Sequence, residues 1–284
     1  MKTLANKARR AHIIRHLAPV SAVVLAIVVC SFLVGDAYAK IDPANALTAP
    51  SWLHDGGQGL LGTDSVGRDI FARIARGARS SILVSFAGAG LGIVIGMPLA
   101  FVAAMGRGLW SWLVLRLMDL QLAVPYIILA LFIASLVKPG PGLLIVLLGL
   151  PSWVYCARVV RSVLLEELPK EYVKAARMMG ASNWRIARVY LMPQTLPTLA
   201  VVMGNLCASL VLLEATLSFL GMGLQPPEPT LGGMMLEGRQ FFASAWWIST
   251  FPGFAVLLVV WSLYFAIDAV SVGRSRRGVS GSVG

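Results

Sequence analysis

The chain has 284 residues, of which 57% are hydrophobic and only 13% charged, and it carries a formal net charge of +11. With a positive mean hydropathy, this composition excludes an ordinary soluble globular domain. A basic excess could also suit nucleic acid. Here, though, the charges stand beside apolar runs rather than in one basic domain, so membrane lipid is expected as the partner and no nucleic acid.

Six apolar runs are long enough to cross a hydrocarbon core of about 30 Å: 17–34, 82–104, 112–137, 143–165, 196–220 and 247–270. They predict an all-α integral membrane protein with six transmembrane helices. Residues 1–80 form a basic tail, first span and external loop, 81–271 a five-span core, and 272–284 a short tail. Lys2, Lys7, Arg9, Arg10 and Arg15 precede the first run, which favours a cytoplasmic N-terminus. Ala37-Tyr38-Ala39 offers a cleavage-like site, but the run before it exceeds the roughly 7–15 residues of a signal-peptide core, so a retained anchor is expected. In this orientation 17 of the 24 Lys and Arg residues fall on the cytoplasmic side or at cytoplasmic span ends, and 7 fall outside.

The external loop contains Leu61-Gly62-Thr63-Asp64-Ser65-Val66-Gly67-Arg68-Asp69. It is glycine-rich but lacks the G-x-x-x-x-G-K-[ST] pattern of a phosphate-binding loop. Ile70, Phe71, Ile74, Ala75 and Ala78 recur at helical spacing, with Arg68, Arg73, Arg76 and Arg79 elsewhere, which predicts an amphipathic helix at the interface before the second span.

Within the spans, Asp119 stands three residues after Arg116 and can pair with it; Glu214 is deeper, and Asp268 lies near the exit of the last span. Ionisable groups at that depth face protein or a water-filled path, so these three are candidates for a path lining or a helix contact. Pro98, Pro125 and Pro151 predict local kinks. Gly88, Gly90, Gly92 and Gly96 predict a small-residue packing face. Cys30, Cys156 and Cys207 read as free thiols, and His12, His16 and His54 lack metal-ligand spacing. No nucleophile–base constellation appears, and no catalysis, metal or resident cofactor is expected.

The polar stretch 166–197 separates two apolar runs. Pro169 can open a short helix with Glu171 in its first turn, and Gly180 can end it in the left-handed conformation. Ser182 can cap a second helix, 183–191, which Pro193 stops. The prediction is a helix–turn–helix elbow with a smooth alanine face; the plainer alternative is a solvated basic loop. Between the last two spans, 222–245 is rich in proline and glycine and reads as an ordered external loop.

Three blocks carry a resemblance. Lys174-Ala175-Ala176, Gly180 and Tyr190-Leu191-Met192-Pro193 reproduce the spacing of the coupling-loop signature of permease subunits of ATP-binding-cassette importers, Glu-Ala-Ala, three residues, Gly, nine residues, Ile-x-Leu-Pro. Lys, Tyr and Met replace Glu, Ile and Leu of that signature. Leu61–Asp69 resembles the L-G-T-D-x-x-G-R-D block of C-type peptide and nickel permeases. Leu213-Glu214-Ala215-Thr216-Leu217-Ser218-Phe219-Leu220-Gly221-Met222-Gly223, followed by Gln225-Pro226-Pro227 and Gly232-Gly233-Met234, resembles the same family's E-A-S-L-S-F-L-G-L-G block.

The resemblance implies a type I importer permease fold with a cytoplasmic coupling helix, in a bacterial plasma membrane. It implies peptide import, with nickel–chelate or opine uptake as alternatives on the same machinery. The implied partners are a homologous second permease, two ATPase subunits that bind ATP and Mg, and an external solute-binding protein. Tyr172, Lys174, Ala175, Ala176, Gly180 and Pro193 would form the ATPase contact; Arg68, Asp69, Gln225 and Glu237 would dock the binding protein. An ion-gradient-driven transporter is the rival from another class, disfavoured because no internal repeat is visible and the elbow would lack a motor.

Overall fold

The computed structural model describes residues 29, 35, 37–53, 57, 59–106, 108–137 and 140–274, with side chains described up to Ile267. The first expected span, 17–34, falls almost wholly outside them. So do His12, His16, His54, Cys30 and the tail beyond 274.

Apart from short 3-10 turns, the regular elements of the described chain are α1 (Ile70–Met105), α2 (Leu109–Ala123), α3 (Tyr126–Leu136), α4 (Pro141–Glu167), α5 (Glu171–Met178), α6 (Asn183–Phe219), α7 (Leu231–Gly238) and α8 (Trp247–Arg274). Among the described residues the only strand-like pairing is one antiparallel bridge between Thr63 and Asp69. Helices α1, α4, α6 and α8 are each long and apolar enough to cross a membrane, and the pair α2/α3 would make a fifth span.

The structure corrects several boundaries. No separate interfacial helix precedes the second span, because α1 runs unbroken for 36 residues from Ile70. Asp69 caps it by accepting the backbone N–H of Ala72. Arg73, one turn in, finds protein partners rather than headgroups. The division expected at 80/81 therefore falls inside α1. The third span is not one helix: α2 and α3 meet at a 77° bend, where Pro125 withholds an N–H and Val124 before it is extended. Pro193 does not stop the elbow's second helix either. Just ahead of it, Ile186–Leu191 takes the wider π conformation, and the helix continues to Phe219. A wide turn is one way to carry a helix past a proline that lacks its donor. The segment 222–245 is only partly loop, since it contains α7, capped by Thr230 through the N–H of Gly233.

Packing centres on α1 against α4. Their close points advance together: Gly88 meets Gly149, Gly92 meets Ser152, and Gly96 meets Trp153 and Ala157, so the two helices are parallel. A Cβ on Gly149 would stand 2.6 Å from the Gly88 carbonyl oxygen, and one on Gly96 2.5 Å from that of Trp153. Backbones approach this closely only where side chains are missing. Gly90 has open space around it and takes no part. Helix α6 packs antiparallel on α1, with Leu210 against Gly88 and Glu214 against Ser81. Cys156 and Cys207 are free and buried in this interior.

Candidate functional sites at the two ends of the bundle

At one end, α4 passes into the elbow. Pro169 stands before the N-cap, Lys170, and α5 begins at Glu171. The helix ends in the double hydrogen bond of a Schellman turn: Gly180 N–H donates to Arg177 O and Ala181 N–H to Ala176 O, both at 3.0 Å. Gly180 has φ +81°, where a Cβ would be strained. Ser182 then caps α6 through the N–H of Arg185. The base of the elbow is tied to its span. The Glu167 carboxylate accepts from Lys170 Nζ at 2.5 Å and from Tyr172 Oη at 2.6 Å. Partial burial and that hydrogen bond push the Tyr172 hydroxyl up to about 12. Tyr172 also lies 6.4 Å, ring to ring, from Tyr190.

The alanine face turns inward. Ala176 is 1% exposed and packs with Val173, Ile186, Leu191 and Leu164 in the bundle's own core; Ala175 is half-buried. The open face of the elbow instead carries Met178 (83% exposed), Met179 (78%) and Trp184 (73%), with Lys174 and Gly180 beside them and Lys174 paired to Glu171 at 2.9 Å. The sequence reading missed this trio. Its signal was present, as three large apolar side chains set beside polar neighbours such as Arg177, Asn183 and Arg185. Pro193 is exposed at the start of the long helix.

At the opposite end, residues 37–53 and 59–69 fold over the starts of α1 and α8. Asp64 is the hub, at 1% exposed. Its Oδ1 accepts the backbone N–H groups of Val66 and Arg68 at 2.9 Å each, and its Oδ2 accepts Arg68 Nε at 2.7 Å and also Arg73 Nη1. Arg73 forks onto both oxygens of Glu237 at 2.8 and 3.0 Å, linking α1 to α7. Arg68 reaches the same carboxylate at 3.5 Å. Arg76 forks onto Glu228 at 2.9 and 3.1 Å and holds that carboxyl below the usual carboxylate range. Its guanidinium also lies 5.0 Å from the centre of the Tyr38 ring. Trp247 Nε1 donates to Thr63 O at 3.2 Å, tying in α8. Gly62 and Gly67 have φ +81° and +79°, and a Cβ on Gly67 would strike the Asp42 carbonyl. The glycines of the Leu61–Asp69 block thus build a tight knot around Asp64. Arg68, Asp69 and Glu237 are occupied inside it; Gln225 makes a local bond to Gly223 O at 3.3 Å.

Of the membrane-depth candidates, Glu214 is fully enclosed and accepts from Ser81 Oγ at 2.6 Å and Ser218 Oγ at 2.7 Å. Asp119 is 55% exposed and pairs with Arg116 at 3.3 Å, as its spacing predicts, and with Arg158 at 3.6 Å. Asp268 is placed only as a backbone position in α8.

A bundle of apolar spans, folded back on a glycine-packed pair and carrying a rigid polar elbow, is the architecture of a membrane permease. Residues 92–276 match the family described as "Binding-protein-dependent transport system inner membrane component", and the chain belongs to that family. Similar proteins include the "Di/tripeptide transport system permease protein DppC" of Pseudomonas aeruginosa, 36% identical over 79% of this chain and 74% of that one. The "Dipeptide transport system permease protein DppC" of Haemophilus influenzae is 34% identical over 75% and 73%. The same fold occurs in the inward-facing MetNI methionine ABC transporter, at a TM-score of 0.55 and 22% identity over 69% of this chain and 95% of that one. The chain is thus an ABC importer permease subunit with the type I fold.

Proposed function

We propose that this permease imports di- or oligopeptides handed to it by an external solute-binding protein, driven by ATP hydrolysed in partner subunits. The elbow carries this reading. A rigid knuckle welded to α4 by Glu167 and to the core by Val173 and Ala176, yet presenting Met178, Met179 and Trp184 outward, suits seating in a groove of another protein. Displacement of that seat moves the ends of α4 and α6 together, which is what mechanical coupling requires.

In this reading the elbow and both chain termini face the cytoplasm, and two ATPase subunits, which bind ATP and Mg, dock one on this elbow and one on that of a homologous second permease. Tyr172, Lys174, Ala175, Ala176, Gly180 and Pro193 shape the elbow, while the two methionines and Trp184 make the contact. The Asp64 knot and α7 face outward. Arg68, Asp69 and Glu237 hold that platform in shape for the binding protein, and Gln225 lies on the loop it would touch. The peptide relatives favour peptide over other cargo.

The test is uptake of a labelled tripeptide into proteoliposomes holding the whole complex with its binding protein. ATP-dependent accumulation is expected. Uptake that persists without ATP and collapses with the proton gradient would overturn the proposal.

A further inference from the structure

Near the elbow end, between α2 and α4, lies an open cleft of about 320 Å³, lined by Asp119, Arg158, Arg161 and Ser162 over Leu115 and Met118. Arg158 stands nine residues before the end of α4 at Glu167, about 13 Å from that end along the helix at the helical rise. Its side chain is 53% exposed and that of Asp119 55%. Charged side chains on a helix apolar enough to span a membrane are disfavoured against lipid and belong on a surface that water or another protein reaches. Arg161 is drawn partly inward, its Nε donating to the Ala103 carbonyl at 3.4 Å. The floor is apolar, with Met118 2% exposed.

We propose that this cleft is a resting site for the charged ends of a small zwitterionic peptide on its way to the cytoplasm, Arg158 receiving the carboxylate and Asp119 the ammonium. The assignment rests on the peptide-import reading above. Asp119 itself occupies the guanidinium, but at 3.6 Å, and it shares its other oxygen with Arg116 at 3.3 Å. Both separations are longer than a well-formed charge-assisted bond. A free carboxylate that engages the Arg158 fork in two-point fashion displaces Asp119, which is then left to meet the cargo's ammonium. A site holding both signs over an apolar floor suits cargo that carries both signs at short spacing with side chains of any kind. The volume lies within the usual range for a small-molecule site. Position adds a reason for release: Arg158 and Arg161 lie on the same helix whose last residue, Glu167, is bonded to the elbow. Elbow motion therefore reaches the cleft through one rigid element.

The experiment uses the full complex in proteoliposomes, with radiolabelled trialanine as probe. Four forms are compared: wild type, Arg158→Gln, Arg158→Lys, and the doubly neutral Arg158→Gln with Asp119→Asn. Arg158→Gln is expected to lower uptake roughly tenfold or more, as loss of a two-point charged contact does. Arg158→Lys should fall between it and the wild type. The doubly neutral form removes both members of the pair and leaves only Arg116, whose side chain is 58% exposed, without its carboxylate, so it separates a structural pair from a cargo site: it should remain at least about fivefold impaired. Uptake by that form within twofold of wild type overturns the proposal. Co-purification of the subunits checks assembly; if Arg158→Gln fails to assemble, Arg158→Lys decides, and unimpaired uptake by it overturns the site.

Repeating the series in vesicles of phosphatidylcholine alone tests an anionic lipid headgroup as occupant. If the Arg158→Gln defect disappears there, the cleft belongs to lipid and the proposal is overturned. Wild-type complex that takes up no trialanine with ATP overturns both this site and the peptide reading; normal wild-type uptake with unimpaired variants overturns this site alone.

Discussion

Ser81 Oγ donates to Glu214 Oε2 at 2.6 Å, joining α1 to α6 in an otherwise apolar interior. Ser218, one turn further along α6, supplies the second oxygen's donor at 2.7 Å. A carboxyl group enclosed between two hydroxyls ties α1 to α6 in this chain. Glu214→Ala should leave both hydroxyls without their acceptor and cost about 1–3 kcal/mol, read as a lower unfolding temperature of the purified complex. Glu214→Gln, which retains an acceptor, should cost less. Equal melting of all three forms would refute the tie.

The glycine contact between α1 and α4 separates two kinds of glycine in this helix pair. Gly149→Val places a Cβ against the Gly88 backbone, where no side chain can yield, and should cost more than about 2 kcal/mol by forcing the helices apart. Gly90→Ala points into open space and should be neutral or gain roughly 0.5–1 kcal/mol from helix propensity. Thermal unfolding of the two variants, side by side, measures the difference.

At the elbow, inward and outward residues should fail differently. Ala176→Glu drives a charge into the core beside Val173 and Leu164 and should lower the amount of folded protein in the membrane. Met178→Asp and Trp184→Asp lie on the open face, so the permease should fold normally yet retain less ATPase on co-purification and lose ATP-driven uptake. Gly180→Val should be worse than Gly180→Ala, because a β-branched residue resists φ +81°. Full ATPase retention by the Met178 and Trp184 variants would move the contact elsewhere.

The Arg76–Glu228 link predicts a pH dependence with a definite sign. Arg76 depresses the Glu228 carboxyl below its ordinary value. A depressed acid contributes stability above its unfolded value and loses it as pH falls through the folded one. The platform should therefore hold through mildly acidic medium and loosen only below the ordinary carboxylate range. Glu228→Gln should flatten that dependence, measured as protease protection of the segment 222–245 between pH 7 and roughly pH 3. Identical profiles would remove the link from the account.

Much of the elbow was legible in the sequence because its signals are local. Gly180, Ser182 and Glu171 act within a turn of their own positions, and each performs as its chemistry dictates. What could not be read was the side each face turns. Two alanines look the same whether a partner or the chain's own core covers them, and only the packing of Val173 against Leu164 and Ile186 decides it. The role of Leu61–Asp69 was hidden for a similar reason. Asp64 gains its purpose from Arg73 and, through it, Glu237 far along the chain, and Thr63 from Trp247. The same partners explain why α1 starts as a buried helix where four arginines suggested an interfacial one.

The parallel, side-chain-free contact of α1 with α4 has a mechanical consequence. α1 begins in the Asp64 knot, α4 ends at Glu167 against Lys170 and Tyr172, and their backbones interlock in between. Neither helix can slide along the other without carbonyl meeting Cα, so the pair behaves as a push-rod of fixed length. A nudge of the Asp64 knot and a tilt of the elbow are then expected to be two ends of one displacement.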